Sequence, residues 1–186
     1  MSVAFGTEKY GLKVGTPDIK SVGSLAFGPE GILFVADSLG ATIFAIDVRD
    51  SSASKADPID VDNLDTRLAA YLGCSRNDLF IRDMAVHPSS QNIYLSVVRG
   101  SGTAAIPILI KVETDGTLSE VSLEDIPYTQ TTIENAPAEN DVRLENRVVQ
   151  GNREGEDITF GNSITLRIVK DTLRTVTVTD MAYVDG

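Results

Sequence analysis

Three short stretches of this chain place a small or acidic polar residue at one repeated position. They are Val22-Gly23-Ser24-Leu25-Ala26-Phe27, Ile81-Arg82-Asp83-Met84-Ala85-Val86 and Val178-Thr179-Asp180-Met181-Ala182-Tyr183. Ser24, Asp83 and Asp180 share the position, and Ala26, Ala85 and Ala182 follow two residues on, along the same strand face. Polar groups in one register of repeated units can converge on a common ligand. Two carboxylates brought together repel unless a cation, ordered water or backbone amides satisfy them. Ser24, Asp83 and Asp180 are therefore candidate ligands for a divalent cation, calcium or magnesium, or for a polar small molecule. The competing expectation is that each aspartate bonds backbone amides of its own or a neighbouring unit.

Other chemistry is thin. His87 is the chain's only histidine, so any site that needs two is excluded. It sits in a His-Pro turn, where an imidazole is expected to bond backbone. Cys74, the single cysteine, has no histidine near it in sequence to activate it as a nucleophile. Asp60, Asp62 and Asp65 suggest a calcium loop, but Leu64 and Asp65 stand where an EF-hand needs a fifth-position ligand and a glycine. Gly100-Ser101-Gly102 does not open a helix, so it is no phosphate cradle. No catalytic residue is assigned.

The elements that position these residues are short alternating strands. Residues 22–27, 32–36 and 42–48 are separated by glycine-bearing turns, and the succession returns at 81–86, 92–98 and 104–112. Pro29 matches Pro88 at the turn, and Phe34 matches Tyr94 in the second strand. Weaker fourth strands are expected at 57–61 and 117–123. Four-stranded antiparallel units in series predict an all-β fold of β-propeller-type blades. The units lie near 18–61 and 81–123 of a single domain over 1–186, with further strands over 158–186. A hairpin is expected from 163–169 and 172–178. Between the units, Asp62 as cap, the Leu64, Leu68, Leu72 spacing and a stop at Gly73 predict one short helix near 63–72.

LFVADSLGATIFAID (33–47) resembles the core of NHL-type propeller repeats, and MAVHPSSQNIYLSV (84–97) is similar to a turn common in cytochrome-like and lactonase-like blades. The likeness covers roughly 18–123 and 178–186. It implies a blade; the superfold hosts hydrolases, dehydrogenases and plain binding scaffolds alike. In the regucalcin-type lactonases a divalent ion sits at the channel mouth, but that family's glutamate and asparagine ligands are not matched residue by residue here. Two well-supported blades and the opening of another also fall short of the four a closed propeller needs, so an incomplete set of blades is expected. The rival expectation is that the last strand closes the sheet against an early one.

The net charge is −11, and −9 of it lies in residues 113–157, where twelve acids meet three arginines. The expectation is a solvated acidic insertion, or alternatively a docking surface for a cationic partner. Such a balance disfavours nucleic acid and anionic membrane as partners. No apolar run reaches the ~20 residues of a membrane helix, and no signal peptide is visible. The chain reads as soluble, with export open if its N-terminus has been trimmed. The leading functional expectation is a non-catalytic binding or interaction scaffold for an unknown protein or small-molecule ligand. The alternative is a metal-dependent hydrolase or lactonase using a channel-mouth cation.

Overall fold

A computed structural model describes residues 10–51, 61–143, 156–160, 164–168 and 171–184. In chain order the strands are β1 (Lys13–Gly15), β2 (Leu25–Phe27), β3 (Ile32–Asp37) and β4 (Thr42–Asp47), then helix α1 (Leu64–Leu72). After the helix come β5 (Leu79–Val86), β6 (Ile93–Arg99), β7 (Ile106–Val112), β8 (Leu118–Glu120) and β9 (Ile126–Thr132). The described remainder holds β10 (Val142–Arg143), β11 (Glu156–Phe160), β12 (Ile164–Ile168) and β13 (Asp171–Thr172). The molecule is thus mostly β with one α-helix among the described residues. No described helix is long and apolar enough to cross a membrane.

Two open antiparallel sheets carry the structure. Sheet I has the order β1-β9-β4-β3-β2 and sheet II the order β5-β6-β7-β8. Their first strands share a register. Leu25 opposes Val35 in sheet I, and Met84 opposes Leu95 in sheet II. Both sheets use strand alternation to make two working faces. In sheet I, Leu25, Leu33, Val35, Phe44 and Ile46 point one way and meet Tyr94 and Leu109 of sheet II in a common core. In sheet II, the opposite face sends Leu95, Val97, Ile108, Ile110 and Val112 against Leu68 and Leu72 of α1. The helix is therefore a cover on the far face of sheet II. It is more than decoration of a loop, because Leu68 is fully buried there.

Several expectations change. The fourth strand expected at 57–61 falls, apart from Val61, outside the described residues, and the place beside β4 is taken by β9. Ile126 and Pro127 are buried there, so the acidic stretch is not all solvated insertion: its front half supplies β8 and β9. Pro127 is tolerated because it lies near the start of the strand, where a missing N–H costs one ladder bond. The 163–169 and 172–178 hairpin does not form. Ile164–Ile168 pairs instead with Glu156–Phe160, and Leu173–Val176 turns as a 3₁₀ helix. At α1 the N-cap is Asn63, with no side-chain cap bond, and Asp62 is exposed. Gly73 does end the helix in the left-handed region, at φ 64°. Residues 178–184 form no strand; they lie along sheet I, with Val178 N–H donating to Ser38 Oγ at 3.2 Å.

Candidate functional site

Chain alternation places Asp83 on the face of β5 that looks toward sheet I, and β2 and β5 lie side by side. Asp83 Oδ2 accepts the N–H of Leu25 at 2.7 Å, and Ser96 Oγ donates to the carbonyl of Gly23 at 2.7 Å. These polar bonds tie β5 and β6 of one unit to β2 of the other and the residues just before it. Ser24 is buried, and its carbonyl accepts from Ala36 N–H at 3.0 Å. Asp180 is exposed and takes the N–H of its own neighbour Met181 at 2.8 Å. Both aspartates of the shared register therefore hold backbone amides, one across units and one locally. Among the described residues no group of three or more His, Cys, Asp or Glu side chains is placed to hold a metal ion.

A second polar centre was not legible in the sequence. Asp50 follows β4 and reaches sheet II, where its Oδ2 accepts from Ser90 Oγ at 2.8 Å, Asn92 Nδ2 at 2.8 Å and Tyr94 Oη at 3.0 Å. Burial, then the Asp50 charge and hydrogen bond, and lastly Glu113, push the Tyr94 phenol far above its ordinary range. Next to it His87 is buried, its ring meeting Phe27 edge-on at 4.9 Å. A Cβ at Gly31, which has φ 77°, would run into that ring, so this turn requires glycine. His87 Nδ1 accepts from Ser90 N–H at 3.0 Å, which leaves the neutral ring's proton on Nε2. Burial lowers the His87 pKa, and the Asp50 charge only partly opposes this.

Asp50, Ser90 and His87 superficially resemble a nucleophilic triad. The order of the bonds is wrong for one. Ser90 Oγ lies 3.0 Å from His87 Nδ1, but that nitrogen already accepts Ser90 N–H. The carboxylate takes the serine proton instead of orienting the imidazole, and Ser90 is 1% exposed, closed to any substrate. The arrangement can hold two sheets in register; it cannot present a nucleophile.

Asp37, also fully buried, closes the turn after β3. It accepts the N–H groups of Lys20, Ser21 and Gly40 and the hydroxyl of Ser21, at 2.7 to 2.9 Å. The Asp-Ser-Leu-Gly sequence was the signal for it, since short acidic side chains before glycine close turns through the backbone. Asp50 had no such signal: its partners are forty residues away.

The open space lies elsewhere. The stretch 119–124 crosses from sheet II to sheet I with a groove on each side. One, of about 330 Å³, is lined by Val48, Arg49, Tyr94, Lys111, Ser122 and Glu124 among others. The other, of about 450 Å³, lies between Pro17, Ile19 and Val22 and the strand residues Pro107–Leu109. Lys111 pairs with Glu113 at 2.7 Å, and Arg49 donates to the Asp125 carbonyl at 2.9 Å. No family model, curated protein or solved structure matches the chain.

Proposed function

We propose that the chain is a non-catalytic binding scaffold built of propeller-type units, in keeping with its resemblance to NHL-type and lactonase-like blades. One observation carries this reading: Asp37, Asp50, Asp83, His87 and Ser90, the groups with most chemical capacity, are engaged in joining turns and sheets. The grooves flanking 119–124 are the natural seat for a small ligand, since they lie between units; the one beside Arg49 and Lys111 carries both charges, the other only the acids Glu120 and Glu124. The exposed acids Glu120, Glu124 and Asp125 beside them favour a partner with a cationic surface. A divalent cation at Asp83 is the competing reading, because the bond to Leu25 engages only Oδ2 of its carboxylate.

The test is a calcium and magnesium titration read by melting temperature, followed by lactone and phosphoester turnover, on the parent and on Asp83→Asn. The scaffold reading expects no metal-dependent shift in melting temperature and no turnover that depends on residue 83. Metal-dependent turnover in the parent, lost in Asp83→Asn with the fold intact, replaces the scaffold with a hydrolase.

A further inference from the structure

One ring pair of the inter-unit contact recurs in this molecule. Phe27 at the end of β2 meets Tyr94 of sheet II edge-on at 5.2 Å. Tyr183 stacks on Phe34 of sheet I at 6.3 Å. By the sequence repeat Phe27 corresponds to Tyr183, and Tyr94 to Phe34. Residues 178–184 thus meet sheet I through the repeat-equivalent ring pair. Met181 is half-buried, while Asp180, Ala182 and Tyr183 are exposed.

Among the described residues, both outer faces of this stack are exposed. At one end β5 presents Ile81, Met84 and Val86, which are 42%, 56% and 47% exposed. The positions of Met84 and Val86 correspond to Leu25 and Phe27, which are covered by the next unit. α1 shields β6 and β7 on this face and leaves the β5 stripe open. At the other end is Asp180, the repeat equivalent of Asp83. Within the molecule Asp83 caps Leu25 N–H. Met84 holds the same register against Leu95 that Leu25 holds against Val35, so its N–H points off the same edge of the strand.

We infer that two copies of this chain associate head to tail, residues 178–184 of one covering Ile81, Met84 and Val86 of the other. Asp180 then accepts the N–H of Met84 as Asp83 accepts that of Leu25. The chain carries a repeat equivalent of each half of the internal joint. A head-to-tail contact uses two different patches, so each copy offers one free patch of each kind and a ring can close. The inference rests on the repeat geometry and stands whether or not the scaffold binds a ligand in its grooves.

Sedimentation of the full 186-residue chain from low micromolar concentration upward tests it. The expected result is a concentration-dependent shift from monomer to dimer or a larger ring. Met84→Glu and Asp180→Lys, both on exposed side chains, each weaken association at least about tenfold while the melting curve is kept. Mixing the two variants restores association, because the new glutamate and lysine meet in the contact between unlike chains. A parent that stays monomeric at every concentration, or an oligomer that neither substitution weakens, overturns the inference. So does a mixture that behaves as the two variants do alone.

Discussion

The carboxylate of Asp83 and the backbone N–H of Leu25, 58 residues apart, meet at 2.7 Å and tie the first strands of the two sheets together. Removing the acceptor strands a half-buried edge amide. Asp83→Ala is expected to cost about 1.5–3 kcal/mol, the range for hydrogen bonds to charged groups, and Asp83→Asn less. Urea unfolding of both variants checks this. Equal midpoints for parent and alanine variant would show that the bond holds nothing.

Asp50 is the acceptor for three donors of sheet II, so its loss leaves several polar groups unpaired at once. Asp50→Ala is expected to cost about 3–5 kcal/mol, as when one partner of a buried charged network is deleted. Tyr94→Phe removes only one donor and is expected to cost about 1 kcal/mol. A double-mutant cycle between the two positions should show clear non-additivity, and strict additivity would rule out the network.

His87 makes stability fall on acidification. Its folded pKa lies below the ordinary 6.5, so between these values the unfolded chain binds the proton that the folded one refuses. Stability from this group is complete above pH 6.5 and is lost as pH falls toward the depressed value. Each unit of depression is worth about 1.4 kcal/mol. His87→Asn, which keeps an acceptor for Ser90 N–H, should flatten the melting temperature between pH 5 and 7 relative to the parent. A parent curve that is already flat there contradicts the assignment.

Tyr94 acts at the opposite end of the scale. Its phenol is pushed up by burial first, so the unfolded chain loses that proton near pH 10.0 while the folded one keeps it. Stability should decline as pH rises above this value, and Tyr94→Phe should lack that part of the decline. Alkaline melting curves of parent and variant decide it.

Deleting residues 125–157 is expected to abolish cooperative unfolding. The excised stretch includes β9, which lies between β4 and β1, and Ile126, part of the core between the sheets. Circular dichroism melts of the deletion chain should show a broad, weak transition. A deletion that starts after Thr132, just past β9, should keep the sharp transition, and its failure would show that the later acidic residues also carry the fold.

Strand alternation, glycine-bearing turns and the repeat were written in residues 22–48 and 81–112, because local backbone preference and side-chain period set them. Gly73 ended the helix as its neighbours foretold, through the left-handed conformation that glycine tolerates. The register of the first strands at Leu25 and Met84 was visible too, whereas Asp180 lies in a stretch that forms no strand. The neighbours that the sequence could not give were those separated by long stretches of chain. β9 beside β4, Asp50 among Ser90, Asn92 and Tyr94, and Tyr183 on Phe34 all join distant segments. Such pairs form only when apolar faces choose their partners in the folded core, and that choice depends on shape and burial in three dimensions. The sequence by itself determined the units; the tertiary structure decided which faces are covered and which, as at β5, are left open.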